Sequence, residues 1–118
     1  MSNEIVWSPP EEIVKNSKLT KFLKFCNLSG YDELEKKSYA DPGWLWDNVI
    51  KFSDLKFYKS YEKIMDDSKA APWTKWCVGG KTNIVLNCID RHKDKKFFSE
   101  TFIFAERENG TKSSITYE

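Results

Sequence analysis

Cysteine is sparse in this chain and comes in an odd number. Cys26, Cys77 and Cys88 share no C-x-x-C spacing, which argues against both a disulfide framework and a zinc site. Histidine is rarer: His92 stands alone among 118 residues, which leaves no His-pair metal site, and without a Ser nucleophile motif a Ser-His-Asp constellation is unavailable too. An excess of one charge is also missing. Nineteen basic and eighteen acidic side chains leave a formal net charge of +1, without the basic stripe that a nucleic-acid partner requires. No apolar run reaches membrane-spanning length. The opening MSNEIVWSPP has neither the basic start nor the apolar middle of a secretory signal. Internal repeats and low-complexity linkers are absent too. These absences predict a soluble, cytoplasmic protein with buried, reduced thiols and no nucleic-acid or membrane partner.

What is present points to an ordered core. Hydrophobic residues make up 40% and aromatics 15% of the chain, with five Trp and eight Phe, a composition that disorder does not have. At 118 residues there is room for one domain and not two. The densest basic cluster, Arg91, His92, Lys93, Lys95 and Lys96, is interrupted by Asp94. It reads as a solvated helix end before a phosphate contact.

Local patterns predict an α+β chain. Pro9 and Pro10 bias IVWSPPEEI toward an extended path. A helix follows in NSKLTKFLKFC, with Asn16 or Ser17 as cap and Leu19, Phe22, Leu23 and Cys26 on one face. Ser29 is the expected cap of the next helix, SGYDELEKKSY, with Asp32 and Glu33 in its first turn. In ADPGWLWDNVIKF, Asp41 caps and Pro42 takes the first helical position. There Leu45, Val49 and Phe52 form a core stripe that Trp46 and Ile50 widen, while Trp44 covers an edge of the core. The stretch LKFYKSYEKIMDDSKAAPW has mixed periodicity and is expected to be irregular or extended, with Asp66 and Asp67 in a solvated loop. WTKWCV predicts a short strand ending at Gly79-Gly80.

The stretch WCVGGKTNIVLNCIDRH, residues 76 to 92, concentrates unusual residues. On a helix of 83–92, Asn83, Asn87, Asp90 and Arg91 share one narrow sector, and Ile84, Val85, Leu86, Cys88, Ile89 and His92 fill the rest. That predicts a largely buried helix whose polar stripe meets backbone groups or another polar surface. After it, Phe102, Ile103 and Phe104 form a strand, Asn109-Gly110 a turn, and Ser113 to Tyr117 the return strand of a hairpin. The first strand is apolar on both faces, and nothing in these residues clearly covers it. An N-terminal piece of a larger protein is the expectation.

The run W-x-x-G-G-K-x-N-x-x-x-N-C-I-D-R-H from Trp76 to His92, with the closing ITYE, resembles the N-terminal region of AMP-forming short-chain acyl-CoA synthetases. YDELEKKSYADPGWLWDNV is similar to that family's helical segment leading into an Asp-Pro, aromatic-Trp helix. The opening VWSPPEEIVKNSKLTKF looks most like the acetoacetyl-CoA synthetase branch, and the Asn-Cys-Ile-Asp-Arg-His stretch is closer to the acetyl- and propionyl-CoA branch. Cys77 and Thr82 depart from the family pattern, which usually has an aromatic and an apolar residue there; both look like packing positions.

The resemblance implies part of a larger adenylating-enzyme domain, with a helical part at about 10–54 and an extended segment, helix and hairpin at about 55–118, and no separate second domain. It also implies a two-step ligation in the complete enzyme. A carboxylate attacks ATP to give an acyl-adenylate and pyrophosphate, and the thiol of coenzyme A then displaces AMP. ATP, Mg and coenzyme A are thus implied for the whole enzyme, and none for this chain. The family's phosphate loop, adenine-binding segment, ribose-binding Asp and C-terminal Lys have no counterpart here. The expected partner is the remainder of the synthetase, in cis or in trans, with self-association possible through the apolar hairpin. The expected alternative is a stand-alone interaction module, or a split or truncated subunit without ligase activity.

Two readings of the 76–92 stretch compete. VGGKTN looks superficially like a phosphate loop, but the glycine that opens G-x-x-x-x-G-K-[ST] would stand where Lys75 is. Gly79 and Gly80 followed by a helix could still offer N–H groups to an anion. The other reading is a structural joint: the glycines turn the chain from strand to helix, and Asn83, Asn87, Asp90 and Arg91 lock that helix in place. His92 is expected as a hydrogen-bonded structural residue before a general base or metal ligand. Trp76, Gly79, Gly80, Asn83, Asn87, Asp90, Arg91 and His92 are therefore assigned to a structural motif, with no catalytic, cofactor-binding or metal residue.

Overall fold

A computed structural model of the chain describes residues 6–93, 96 and 98–117. The fold is α+β, with five helices and two separate two-stranded antiparallel sheets among those residues. It divides into two compact units, one ending at Asp54 and the other beginning at Leu55.

The first unit is helical: α1 (Glu11–Asn16), α2 (Lys18–Phe25), α3 (Tyr31–Ala40) and α4 (Pro42–Phe52). The extended path expected for IVWSPPEEI holds for 6–10, while Ile5 lies outside the described residues. It fails from Glu11 onward. Pro10 occupies the N-cap, where a missing N–H costs nothing, and Glu11 and Glu12 complement the positive end of α1. Ser17 both ends α1 and caps α2, its Oγ accepting from the Thr20 N–H at 3.0 Å. The Thr20 hydroxyl reaches back to the Val14 carbonyl at 2.6 Å, tying the two helices across the cap.

The N-cap of α3 is Gly30, one residue later than expected, and it makes no side-chain cap. Ser29 acts in reverse: its N–H and its hydroxyl both donate to Glu33 Oε2 at 2.9 Å. A carboxylate in the first turn of the helix reaches its preceding loop, as the acid of a capping box does. Asp41 and Pro42 behave as expected, with the Trp44 N–H donating to Asp41 Oδ1 at 2.9 Å.

Phe22 and Leu34 are the buried hydrophobics of this unit. Phe22, Phe25 and Phe52 form an aromatic cluster, with Phe22 edge-on to Phe52 at 5.2 Å and Phe25 at 5.5 Å from Phe52. Offset and edge contacts of this kind add about 0.5–1.5 kcal/mol each beyond area burial. The α4 stripe of Leu45, Val49 and Phe52 is half-buried, whereas Trp46 is exposed and does not widen it. Trp44 is half-buried with the Lys37 ammonium 5.5 Å from its ring centre.

In the second unit β1 (Lys63–Asp66) pairs antiparallel with β2 (Lys75–Val78), in the register Lys63↔Val78, Met65↔Trp76 and Asp66↔Lys75. The stretch 55–73, expected to be irregular or extended, thus contains a strand, and Asp66 ends that strand instead of lying in a loop. No alternation is readable because Lys63 and Asp66 put charge at both ends of a four-residue strand that is only half-buried.

After the glycines comes α5 (Ile84–Cys88), then a 3-10 turn at Asp90–His92. The continuous, buried helix expected at 83–92 is not formed. Ile89, at φ −122°, breaks it, and Ile84 at 76% and Val85 at 46% exposure face outward. The thiols form no disulfide and are not fully buried as expected: Cys26 and Cys77 are half-buried and Cys88 is exposed.

The expected hairpin is present as β3 (Thr101–Glu106) and β4 (Lys112–Thr116). Ile103 pairs with Ile115, Phe104 with Ser114 and Glu106 with Lys112, with an irregularity between Thr101 and Ile103. Gly110, at φ +78°, takes the left-handed position that the tight turn requires. In the basic cluster, Asp94 and Lys95 lie outside the described residues. No helix among the described residues is long and apolar enough to cross a membrane.

Candidate functional site

The 76–92 stretch is a backbone clamp. It begins in β2, where Trp76 faces Met65 across the ladder and is 45% exposed. Cys77 at φ +49° and Gly79 at φ +78° then carry the chain through two left-handed positions, the first an uncommon conformation for a residue with a Cβ. The Gly80 N–H closes this turn onto the Cys77 carbonyl at 2.9 Å.

Glycine is required at 79 and 80 for different reasons. Gly79 has the positive φ, and a Cβ there would lie 3.0 Å from Glu62 Oε1. Gly80 is tight in space. A Cβ there would sit 3.0 Å from the Cys77 carbonyl oxygen, 3.2 Å from Tyr61 Cβ and 3.3 Å from Phe57 Cε1. Phe57 and Tyr61 hold that wall by an edge-on contact at 5.4 Å. The positive φ of the glycine pair thus falls on Gly79, and close approach is what Gly80 provides.

The segment before β1 is sewn to the segment after β2. The Tyr58 N–H donates to the Lys81 carbonyl at 2.8 Å, the Lys81 N–H to the Lys59 carbonyl at 2.8 Å, and the Glu62 N–H to the Val78 carbonyl at 2.9 Å. Thr82 continues the seam, its hydroxyl donating to the Lys56 carbonyl at 2.6 Å. Asn83 caps α5 by accepting from the Leu86 N–H at 2.7 Å. Asn87 closes the set. Its Oδ1 accepts from the Lys56 N–H at 2.7 Å, and its Nδ2 donates to the Lys56 carbonyl and Thr82 Oγ1 at 3.0 Å and to the Asn83 carbonyl at 3.2 Å.

The motif residues thus do not share one stripe. Asn87 and Thr82 converge on the backbone of Lys56, while the Asn83 side chain caps α5. Asp90, in the 3-10 turn, pairs with Lys93 at 2.8 Å, and Arg91 is half-buried beside it. His92 turns toward the hairpin, its ring 5.7 Å from and nearly perpendicular to that of Tyr117, which in turn lies 4.7 Å from Phe102. Lys56, Phe57 and Tyr61 were missed as members of the clamp. Lys56 contributes only backbone, which carries no residue signature. Thr82, expected as a packing position, contributes a hydroxyl instead.

The N–H groups of Gly80 and Lys81 are committed to carbonyls of the chain, and α5 has five residues, its first turn capped by Asn83. No three His, Cys, Asp or Glu side chains converge among the described residues. Perturbed carboxylates lie elsewhere. The Ser68 N–H, at 3.2 Å, holds Asp66 below the ordinary carboxylate range, with smaller help from the Ser68 side chain and Lys63. Burial pushes the Cys26 thiol up, against a weaker pull from Lys37.

The family model for the acetyl-coenzyme A synthetase N-terminus matches residues 31–88, from the first residue of α3 to the last of α5. The chain belongs to this family. An acetyl-coenzyme A synthetase of Wolinella succinogenes is 33% identical over 102 residues, which cover 86% of this chain and 15% of that protein. The enzyme of Helicobacter pylori strain G27 is 35% identical over 103 residues, with the same two shares of 86% and 15%. That of Leptospira biflexa is 32% identical over 109 residues, 91% of this chain and 16% of the relative. The resemblance read from Trp76–His92 is thereby borne out. The chain spans about 15% of the length of the curated relatives it matches. Every residue of the clamp, from Lys56 to Asn87, lies inside the matched acetyl-coenzyme A synthetase N-terminal region, while His92 and the β3–β4 hairpin lie beyond it.

Proposed function

We propose that this chain is the N-terminal scaffold of an AMP-forming short-chain acyl-CoA synthetase, packing on and completing the large adenylating domain in cis or in trans. The observation that carries the reading is the alignment itself: nearly the whole chain, 86%, matches only 15% of a relative. The exposed apolar surface supports it. Phe104 is 82% and Ile84 76% exposed, as expected of residues that a further domain covers.

In this reading ATP, Mg and a short-chain carboxylate react, and coenzyme A accepts the acyl group, on residues of the adenylating domain. The residues of this chain hold no nucleotide, metal or thioester chemistry. Their part is to keep β1, β2 and α5 as one body through the Lys56–Asn87 clamp. The cytoplasm, where ATP and coenzyme A are supplied, is the compartment this reading implies.

Two measurements test it. The chain incubated with ATP, Mg, acetate and coenzyme A is expected to release no AMP; AMP formation would overturn the scaffold role. Mixed with Helicobacter pylori acetyl-coenzyme A synthetase lacking its aligned N-terminal stretch, it is expected to associate and raise AMP release. A second reading, an interaction module acting through the hairpin, is favoured by the exposure of Phe104 and Ile115 on β3 and β4. Failure to associate with the truncated synthetase, at concentrations where the chain is monomeric, would favour that module.

A further inference from the structure

The β3–β4 turn carries Asn109-Gly110, and of the seven asparagines in the chain Asn109 alone precedes a glycine. We propose that Asn109 is a site of spontaneous backbone-assisted deamidation, a self-modification that rebuilds the tip of this hairpin.

The chemistry needs only water. The Gly110 nitrogen gives its proton to solvent and attacks Asn109 Cγ. A C–N bond forms, and the side-chain nitrogen takes up a proton and leaves as ammonia. Water then adds to one of the two carbonyls of the cyclic imide and reopens it, giving an aspartyl or an isoaspartyl linkage. The sum is amide plus water to carboxylic acid plus ammonia, with no change of oxidation state.

The structure favours this at Asn109 on three counts. The Thr111 N–H donates to Asn109 Oδ1 at 3.0 Å, and that oxygen gains negative charge as the nitrogen adds, so the donor stabilises the addition. Nothing lies within 4 Å of where a Gly110 Cβ would be, so no side chain crowds Gly110 on that side as the turn rearranges. Residues 107–111 are exposed, and only an exposed 2.8 Å hydrogen bond to the Arg107 carbonyl restrains the Gly110 N–H. Exposed turn bonds of this type open at low cost.

The other described asparagines are placed against the reaction. Asn83 and Asn87 are held in the clamp and followed by Ile84 and Cys88. Asn48 donates to the Trp44 carbonyl within α4 and precedes the branched Val49. Asn27 precedes Leu28, and Asn16 ends α1 before Ser17. Asn3 lies outside the described residues.

The product changes the hairpin in two ways. An isoaspartyl linkage adds a methylene to the main chain inside the turn, which displaces the Gly110–Arg107 hydrogen bond and the Glu106↔Lys112 pairing behind it. Either product places a carboxylate next to Glu108 and near Glu106, whose 3.5 Å pair with Lys112 it weakens.

The test is to age the full chain in mildly alkaline buffer and digest samples with trypsin, which releases Glu108–Lys112 as one peptide. Isoaspartyl methyltransferase labelling and mass spectrometry, compared with a zero-time digest, locate the product. Conversion is expected in Glu108–Lys112 before any other asparagine peptide. Gly110→Ala should slow it several-fold, and Asn109→Gln should abolish it in that peptide. Conversion arising first at another asparagine overturns the proposal. So does an unchanged rate in a folded Gly110→Ala chain; if that variant does not fold, persistence of the product in Asn109→Gln does the same.

Discussion

Asn87 grips both backbone groups of Lys56, a residue 31 positions earlier: its Oδ1 accepts from the Lys56 N–H at 2.7 Å while its Nδ2 donates to the Lys56 carbonyl at 3.0 Å. A side-chain amide carries a donor and an acceptor in one plane, so it can stand in for a neighbouring strand. Asn87→Ala removes both bonds, while the Lys56 carbonyl keeps the Thr82 hydroxyl at 2.6 Å. The expected loss is about 1–3 kcal/mol, read as a lower urea midpoint by tryptophan fluorescence. Asn87→Asp keeps the acceptor but turns its donor into an anion facing the Lys56 carbonyl, and is expected to lose as much. A wild-type midpoint in both variants would remove the clamp as a source of stability.

The two glycines should respond differently to a methyl group. Gly79→Ala meets a left-handed φ and the flexible end of Glu62, a cost of about 1 kcal/mol. Gly80→Ala pushes a Cβ against the Cys77 carbonyl and the Tyr61 and Phe57 side chains, and overpacking of this type costs about 1–3 kcal/mol. Gly80→Val should be worse still. Denaturation midpoints in the order wild type, Gly79→Ala, Gly80→Ala, Gly80→Val are expected; the reverse order of the two alanines would refute the assignment of strain and crowding.

Acid should loosen the helical unit through Glu33. Its carboxyl is held below the ordinary range first by the Ser29 N–H, then by the Ser29 hydroxyl, with Lys37 a lesser contributor. A lowered folded-state value contributes stability that is present above the unfolded pKa, about 4.3 for Glu, and is lost as pH falls through the folded value. Asp66 acts with the same sign in the β1–β2 unit. Melting temperature measured down an acid series should therefore fall in wild type, and Glu33→Gln should flatten that fall. Equal slopes would show that Ser29 does not stabilise the ionised carboxylate.

Removal of the Asp41 cap is expected to cost about 1 kcal/mol. Asp41→Ala leaves the Trp44 N–H of α4 without its 2.9 Å acceptor, and Asp41→Asn should recover most of the loss. Thermal melts followed by far-ultraviolet circular dichroism compare the two.

Surface apolar residues of the hairpin should drive association of the isolated chain. Phe104 and Ile115, at 82% and 58% exposure, lie on strands whose outer edges are open to pairing. Phe104→Lys is expected to lower the sedimentation-average mass at high concentration without changing the monomer's circular dichroism. An unchanged mass distribution would assign any self-association to another surface.

Legibility in the sequence followed the range of the interactions. Asp41-Pro42, Ser17 and Asn109-Gly110 act within three or four residues of themselves, and α4, α2 and the hairpin turn were readable from them. The clamp was half-readable. Asn87 stood out as an amide needing partners, but its partner is the main chain of Lys56, and a backbone group has no letter. The helix expected at 83–92 failed for a related reason: periodicity counts apolar residues without knowing whether anything covers them, and Ile84 and Val85 are left outside.

By itself the sequence determined the family, the α+β class and the caps and turns, because each rests on contacts between near neighbours or on a run of residues readable in order. Only the tertiary structure decided that Gly79 bears the left-handed φ while Gly80 bears the crowding, and that Asn87 binds the backbone of Lys56, 31 residues away. Such relations depend on where the chain returns in space, and the return is set by the summed packing of segments, not by any one of them.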